Sequence, residues 1–269
     1  MVSMALPGLL GLRDSGQRVG SVVGRNMATL SSAYWIVMVS GFVEPVLYLF
    51  SIGIGVGRLI GDLPLPDGRS VPYAQFVAPA MLAASAMAGA LSETTFNFFG
   101  KMKYMRLYDG MLATPIRPME VALGELAWAM LRGTVYSAAF LVLMAALDLT
   151  TWPRAAAAFP AAVLVGFAFG GLGMAISTCL RSWQEFDLIV AVQFALFLFS
   201  GTFVPAERYP AVVRWVIEVT PLYRSVDLIR GISTGVAAWT QVVDVIYLLV
   251  LLAAGLWVAG RRMERLLCK

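Results

Sequence analysis

Long apolar runs constrain this sequence most, because they recur along nearly its whole length. A transmembrane helix needs about 20 apolar residues to cross a hydrocarbon core about 30 Å thick. Of the 269 residues, 59% are hydrophobic and only 13% are charged, whereas an ordinary soluble domain has about 25% charged residues. The sequence therefore predicts an all-α integral membrane protein with six transmembrane helices, at about 31–57, 73–97, 119–147, 155–180, 187–204 and 238–260.

Basic residues between these spans predict how the chain is oriented. If the N-terminus is cytosolic, the cytosolic segments hold twelve Lys and Arg residues and the outer segments hold seven. Positively charged loops prefer the cytosol, so both termini are predicted there. The Ala-, Arg- and Val-rich composition suggests a high-GC bacterium, so the membrane is predicted to be a bacterial cytoplasmic membrane. The domain organisation is then an N-terminal cytosolic or interfacial segment (1–30), a transmembrane domain (31–260) and a cytosolic tail (261–269).

The N-terminal segment and the connection 205–237 are predicted to form helices that do not span the membrane. Residues 1–30 are too polar to cross a bilayer, and their Arg and Val residues suit a helix lying on the inner leaflet. Residues 205–237 are interrupted by Pro205, Pro210 and Pro221. Two short amphipathic pieces, about 210–219 and 222–232, are expected as re-entrant or interfacial helices. A structured outer loop without a part in transport is the alternative.

Residues 101–118, KMKYMRLYDGMLATPIRP, form the longest polar island in the first two-thirds of the chain. Helical spacing places apolar side chains on one face, and the basic residues fall elsewhere. Cytosolic topology alone accounts for the basic charge, whereas the apolar face favours docking of a soluble partner. The apolar residues are Tyr104, Met105, Tyr108, Met111 and Leu112, and the basic ones are Lys101, Lys103, Arg106 and Arg117.

Four charged residues stand out within the predicted spans: Glu44, Glu93, Glu125 and Arg132. Asp187 and Asp244 lie near span ends and are expected at the membrane interface. A charge at the centre of a transmembrane helix costs about 2.5–3.5 kcal/mol on insertion scales, so each needs a partner or a wet cavity. Two interpretations stay open. The four side chains either line a polar substrate path or form interhelical ion pairs, such as Arg132 with Glu44 or Glu93.

Small residues are dense in the fourth predicted span, where Gly166 and Gly170 form a GxxxG motif. Glycines at this spacing let two helices approach closely in a membrane. Close packing within the chain is one interpretation, and a seam between two copies is the other.

The sequence lacks the residues of the common catalytic and metal sites. It has no His and only two Cys, which are far apart, so the common metal ligands are not available in a site-forming pattern. No phosphate-binding GxxxxGK[ST] loop is present. The chain is therefore expected to have no catalytic site, metal or bound cofactor of its own. Its scattered basic residues do not suggest nucleic-acid binding.

Four segments resemble the ABC-2 type permeases, in the branch of lipo-oligosaccharide (nodulation) exporters and daunorubicin-resistance type drug exporters. The resemblance covers about 25–260, and the second and fourth segments are the most specific. The segments are EPVLYLFSIGIGVG (44–57), YDGMLATPIRPMEVALGELAW (108–128), FSGTFVPAERYP (199–210) and PLYRSVDLIRGISTG (221–235).

The resemblance implies the membrane permease of an exporter that is driven by two copies of a separate ATPase, which carries the ATP and Mg²⁺. It implies a second permease, identical or paralogous, and an amphipathic substrate such as a drug, glycolipid or lipid-linked saccharide. It also implies a coupling helix at 101–113 and short outer helices that close the path. The implied ATPase contacts are Lys101, Lys103, Arg106, Tyr108, Asp109 and Leu112, and the outer-gate residues are Pro205, Pro210, Pro221, Asp227 and Arg230.

Two other functions are weighed beside this one. A proton-coupled secondary transporter would use Glu44, Glu93 or Glu125 and would not need a coupling helix. A membrane scaffold that does not transport would leave the ATP hydrolysis of any co-expressed ATPase unchanged.

Overall fold

Helices make up most of the described chain. The structure, a computed structural model, describes residues 7–28, 43, 46–64, 68–105, 107–236 and 239–267. The α-helices are α1 (Pro7–Ala28), α2 (Gly57–Ile60), α3 (Tyr73–Ser92), α4 (Leu107–Leu112), α5 (Pro118–Ala146), α6 (Trp152–Ser177), α7 (Glu185–Leu198), α8 (Ala211–Val219), α9 (Pro221–Thr234) and α10 (Thr240–Leu267). Turns of π-helix occupy Leu49–Val56, Glu93–Asn97 and Gly100–Tyr104, and a 3-10 turn occupies Ala206–Arg208.

Within the described residues, four helices are long and apolar enough to cross a membrane. They coincide with the predicted spans at 73–97, 119–147, 155–180 and 238–260. The first of them includes α3 and continues through two π-helical turns, which makes it longer than predicted. The four helices are Tyr73–Tyr104, Pro118–Ala146, Trp152–Ser177 and Thr240–Leu266.

The other two predicted spans are not established by the structure. Most of 31–57 lies outside the described residues. The predicted span 187–204 is represented by α7, which has only 14 residues, or about 21 Å at 1.5 Å per residue. The chain turns after α7, where Gly201 has a φ of 68°, a backbone conformation that glycine adopts at little cost. This turn is the reason that α7 is shorter than predicted.

Helix α6 lies at the centre of the helical packing, in contact with α3, α5, α9 and α10. Small residues allow these contacts. A Cβ on Gly170 would come within 2.5 Å of Leu126 on α5, and one on Gly171 within 3.1 Å of Leu252 on α10. These glycines therefore serve close packing inside the chain.

A two-stranded hairpin departs from the all-α prediction. Strands β1 (Asp62–Pro64) and β2 (Ser70–Pro72) pair antiparallel, with Leu63 opposite Val71. Proline and glycine disfavour helix in this segment, and Leu63 is buried. The hairpin leads directly into α3.

The connection 205–237 contains the two short helices that the sequence predicts. They are α8 and α9, and Pro210 and Pro221 mark their starts: Pro210 caps α8 and Pro221 is the first residue of α9. Proline suits these positions because its missing N–H has no intrahelical partner there. Pro205 precedes the 3-10 turn in the same way.

Candidate functional site

The predicted coupling helix at 101–113 is two helical pieces rather than one. Its first part, Gly100–Tyr104, continues the long helix that starts at Tyr73, and its second part is α4. The first part is closed at Met105, whose N–H donates to the carbonyl of Gly100 at 3.0 Å. This bend changes the direction of the chain, so the predicted apolar residues do not share one face.

The bend places the apolar side chains on opposite sides. Tyr108 is fully buried, and its ring lies 5.3 Å from that of Phe98. Met111 packs partly against the same core. In contrast, Tyr104 is 62% exposed and Met105 is 73% exposed. Tyr108 therefore anchors α4 from inside, and Tyr104 and Met105 form the apolar surface that a partner could reach.

Glu125 joins three elements beside α4. Its Oε2 accepts from Lys101 Nζ at 2.6 Å, and its Oε1 lies 3.5 Å from Arg25 Nη2. Glu125 is only 5% exposed, and two cations around a nearly buried carboxylate hold it firmly. We call Arg25, Lys101, Tyr108 and Glu125 the Glu125 cluster. It links α1, the end of the long helix and α5.

Tyr108 is electrically neutral in this cluster. Burial raises the pKa of the Tyr108 hydroxyl well above its ordinary value, and the negative charge of Glu125 raises it further. The Tyr108 hydroxyl lies beside the Glu125 carboxylate, but it makes no hydrogen bond of normal distance and angle to any described residue. The ring, rather than the hydroxyl, is therefore what fixes α4.

Helix α1 is fastened to the start of α5. Ser15 Oγ donates to Glu120 at 2.7 Å, and Arg18 lies 3.5 Å from the same carboxylate. Arg18 also donates to the carbonyl of Pro115 at 3.0 Å. The prediction of a helix on the inner leaflet missed these contacts. The signal was present in the sequence, since Arg18 and Arg25 are seven residues apart and so share one helix face.

The remaining predicted contact residues are spread over the surface of this region. Lys103 is exposed, with its Nζ 5.4 Å from the centre of the Phe99 ring. Asp109 is also exposed. Arg106 and the side chain of Leu112 lie outside the described residues, so their predicted roles stay predictions.

An aromatic cluster that sequence reasoning missed supports the bend. Trp183, in the connection between α6 and α7, stacks on Tyr104 with ring centres 5.4 Å apart and meets Phe99 edge-on at the same distance. Phe186 lies 5.1 Å from both Phe99 and Trp183. Tryptophan favours membrane interfaces, and Trp183 lies in a short polar connection between two apolar runs. This position was the sequence signal that could have indicated an aromatic contact there.

Two of the predicted intramembrane charges form an ion pair. Arg132 on α5 pairs with Glu93, and their side chains are 15% and 8% exposed. This is one of the two partners considered for Arg132. Glu44 lies outside the described residues. The other predicted charge, Glu125, belongs to the cluster described above.

At the opposite end of the helices, Arg230 fastens α9 to two other elements. It donates to the carbonyl of Gly201 at 2.8 Å and to that of Phe76 at 3.2 Å. Its guanidinium carbon lies 3.7 Å from the centre of the Phe76 ring. Arg230 therefore bridges α9, α3 and the turn after α7.

A second linkage at this end joins α9 to α10. Arg224 lies 3.2 Å from Asp244, which is fully buried. Asp227 is an acidic neighbour of Asp244. Asp244 was expected near a membrane interface and is instead inside the protein, because α9 covers it. The position of Asp244 near the end of a predicted span does not indicate that another helix will cover it.

Changing Tyr108 to Phe is expected to leave stability unchanged or to raise it by up to about 1 kcal/mol. The substitution removes a buried hydroxyl that makes no hydrogen bond to the described residues, and removing an unsatisfied polar group is seldom costly. Tyr247→Phe is the matched control, since the Tyr247 hydroxyl donates to the carbonyl of Val219 at 2.9 Å and its loss should cost about 1 kcal/mol. Thermal denaturation of the detergent-solubilised variants compares them. A clear loss for Tyr108→Phe would show that its hydroxyl is bonded.

Comparisons with known proteins agree on one family. Residues 18–233 match the ABC-2 type transporter family. Nodulation protein J of Rhizobium leguminosarum bv. trifolii is 34% identical over 212 residues, which cover 78% of this chain and 79% of that protein. Nodulation protein J of Rhizobium meliloti is 32% identical over 193 residues, or 71% and 72% of the two chains.

The match includes all four residues of the Glu125 cluster and extends from Arg18 on α1 into the last turn of α9. A membrane transporter family also agrees with the four long apolar helices of the structure. The chain is an integral membrane protein. The chain belongs to the ABC-2 type transporter family.

Proposed function

We propose that the chain is the membrane-spanning permease subunit of an ATP-driven exporter that moves an amphipathic substrate outward. The cargo class is a drug, a glycolipid or a lipid-linked saccharide. The observation that carries the proposal is the bend at Met105, which exposes Tyr104 and Met105 while the Glu125 cluster holds the backbone on either side. A partner that pushes on this surface pushes on α1, α5 and the long helix together.

ATP and Mg²⁺ bind to the ATPase subunits in this proposal, and the permease binds neither. Two ATPase chains act on two permeases, identical or paralogous, in a bacterial cytoplasmic membrane. Each permease crosses it six times, counting 31–57 and 187–204, and both termini are cytosolic. The family to which the chain belongs and the positive-inside bias support this arrangement.

Movement reaches the spans through charged contacts. Lys101 lies in the last turn of the long helix and donates to Glu125 at 2.6 Å, while Arg25 approaches the same carboxylate from α1. Ion pairs of this kind, largely excluded from water, resist separation. A displacement at Tyr104 is therefore expected to carry α5 and α1 with it.

The outer gate is formed by α8 and α9. Pro205, Pro210 and Pro221 break the chain into short helices that are not able to span a membrane on their own, and Arg230 ties α9 to the turn at Gly201. Asp227 faces the α10 carboxylate of Asp244. Opening the path outward would require these contacts to loosen.

The proton-coupled alternative finds less support in the geometry. It relies on Glu44, Glu93 or Glu125 as proton carriers. Glu93 pairs with Arg132, and Glu125 is held by Lys101 and Arg25. Both carboxylates are therefore engaged by cations from neighbouring segments, which suits structural ion pairs better than proton carriers. Glu44 lies outside the described residues.

The proposal is tested by replacing both exposed apolar residues, Tyr104→Ala with Met105→Ala, and measuring association with co-expressed ABC ATPase subunits from the source genome. We expect co-purification to fall at least about tenfold, since small apolar hot spots dominate interfaces. Leu59→Ala is the matched control because Leu59 is 87% exposed and lies by the β1–β2 hairpin, at the other end of the molecule. Unchanged co-purification of the double variant would remove this surface from the proposal, and wild-type protein that binds no ATPase would refute the proposal itself.

A further inference from the structure

Helix α10 has a continuous exposed stripe on the side that faces away from the other helices. Its members recur every three or four residues and therefore share one helix face. They are Val250, Ala254, Trp257, Arg261 and Arg265, all of them exposed. The opposite side of α10 packs against α5, α6 and α9. We call these five residues the α10 stripe.

The α10 stripe changes from apolar to basic at Trp257. Val250 and Ala254 lie in the apolar part of a helix that is long enough to cross a membrane. Tryptophan favours the boundary between hydrocarbon and headgroups, and Trp257 is 55% exposed. The apolar part of the stripe is therefore level with lipid chains, and Arg261 and Arg265 are level with lipid headgroups.

Arg261 is held in place while its hydrogen-bond donors remain available. Its guanidinium carbon lies 4.3 Å from the centre of the Trp257 ring, a cation–π contact that fixes the side chain against the helix. Within the described part of the chain, no hydrogen bond or ion pair involves the guanidinium of Arg261 or of Arg265. A guanidinium has five N–H donors and seeks an anionic acceptor.

Arg262, the next residue, points elsewhere. Its Nη2 donates to the carbonyl of Thr178 at 3.4 Å, at the end of α6. This bond fastens the end of α10 to α6, so the α10 stripe lies on a helix end that is held by its neighbour. Arg262 thus carries the same charge as Arg261 but is directed into the protein.

The charge of this helix end favours an anion. Three arginines and one glutamate, Glu264, lie between 261 and 265, which gives a net charge of +2. The helix dipole stabilises a cation in the last turn, where Arg265 lies. Arg261 lies outside the last turn, so the dipole does not account for it.

We propose that the α10 stripe binds an anionic phospholipid, with the phosphate on Arg261 and Arg265 and an acyl chain along Val250 and Ala254. The two arginines are four residues apart, or about 6 Å along the helix, and guanidinium groups match the geometry of phosphate oxygens. A soluble anion would leave the apolar half of the stripe unused. A zwitterionic lipid has no net charge to balance the +2.

The proposal requires that α10 crosses the membrane, and it needs neither export nor an ATPase. The lipid is a bound component of the permease here, separate from the cargo. Its headgroup would brace the end of α10 beside the bond from Arg262 to α6.

The test uses the full-length protein, purified in a mild detergent and titrated with dioleoylphosphatidylglycerol or dioleoylphosphatidylcholine. Native mass spectrometry measures the binding of each lipid. We expect the wild type to bind the anionic lipid at least about tenfold more tightly, since basic residues near a membrane surface contribute about 1 kcal/mol each. Arg261→Gln and Arg265→Gln should each weaken its binding about fivefold and leave the zwitterionic lipid unchanged.

Two further variants separate a defined site from general attraction. Arg262→Gln removes the same charge as Arg261→Gln, but its guanidinium faces α6, so it should change the binding of the anionic lipid by less than about twofold. Glu264→Gln removes an exposed negative charge beside the proposed phosphate position and should tighten the binding of the anionic lipid.

Four outcomes would overturn the inference. Equal binding of the two lipids by the wild type would exclude an anionic-lipid site, and equal losses in Arg261→Gln and Arg262→Gln would leave only general charge. Inorganic phosphate that displaces the lipid would identify a soluble-anion site. Unchanged lipid binding by Arg261→Gln, together with weaker co-purification of an ATPase, would make this surface a protein contact. The lipid titration contains no ATPase, so its failure leaves the proposed export function intact.

Discussion

Replacing Arg132 with Met is expected to lower the free energy of unfolding by about 3–5 kcal/mol, which is the usual cost of removing one partner of a buried ion pair. Glu93, whose side chain is 8% exposed, would then remain in the membrane span without its cation. Met keeps most of the length and packing of the Arg stem. The loss of stability therefore measures how much Arg132 compensates the charge of Glu93, and not the cost of a cavity.

The double variant Arg132→Met with Glu93→Gln separates charge from packing. Neutralising the orphaned carboxylate should restore most of the lost stability, because a buried pair replaced as a whole is often nearly neutral. Denaturation of purified protein in mixed micelles measures both variants. Arg214→Met is the control, since Arg214 and Glu218 form an exposed pair at 2.6 Å and such pairs contribute about 0.2–1 kcal/mol.

Two outcomes would contradict this account. Arg132→Met with wild-type stability would mean that Glu93 is not held as a buried anion. A double variant as unstable as the single one would mean that Arg132 contributes by packing. Either result would reopen the interpretation of these residues as the lining of a polar substrate path.

The long spans could be predicted because hydropathy is a local property. About 20 apolar residues form a helix in a bilayer whatever surrounds them, since every backbone group must be satisfied within the segment. That is why α5 and α6 start and end close to the predicted positions. The Arg132–Glu93 pair could be proposed for a similar reason, because few partners exist for a charge inside a span.

The shape of the coupling region could not be predicted in the same way. Helical periodicity placed Tyr104 and Tyr108 on one face, but the bend at Met105 buries one and exposes the other. The bend depends on Trp183, which stacks on Tyr104 from the connection between α6 and α7, and on Phe98, which contacts Tyr108 across the bend. Burial of Asp244 has the same origin, since it depends on α9 folding over α10. Such contacts are tertiary and leave no periodic signal.

A cavity of about 380 Å³ between the β1–β2 hairpin, the connection from α5 to α6 and the end of α9 lay beyond sequence reasoning altogether. Its polar side chains come from positions as distant as Arg69, Asp148 and Ser233. In the sequence, each of these is an ordinary polar residue near the end of an apolar run. Only the packing of the hairpin against α9 brings them to one cavity.

Gly255→Ala is expected to cost about 3 kcal/mol, near the upper end of the usual range for an overpacked core. Gly255 lies on α10 where it crosses α6. A Cβ there would come within 2.5 Å of the carbonyl carbon of Gly171, 2.6 Å of its oxygen and 2.7 Å of the amide nitrogen of Leu172. All three are backbone atoms, so no change of rotamer relieves the clash and the two helices must move apart.

A graded series of the same substitution isolates this cause. Gly133→Ala, on α5, meets nothing within 4 Å and should stabilise the protein by up to about 1 kcal/mol through helix propensity. Gly171→Ala would meet Leu252 at 3.1 Å and should fall between the other two. Thermal denaturation of the three variants measures the order.

Gly166 and Gly170 form a GxxxG pattern in the fourth predicted span, whereas Gly255 belongs to no such pattern and could not be singled out from the sequence. If Gly255→Ala is the least stable of the series and size-exclusion chromatography shows an unchanged assembly, the glycines serve packing within one chain. If all three variants are equally stable, α6 and α10 are not in close contact. If Gly255→Ala changes only the size of the assembly, a seam between two copies becomes the better interpretation. A clash between two helices of the same chain would also lower the stability of each copy.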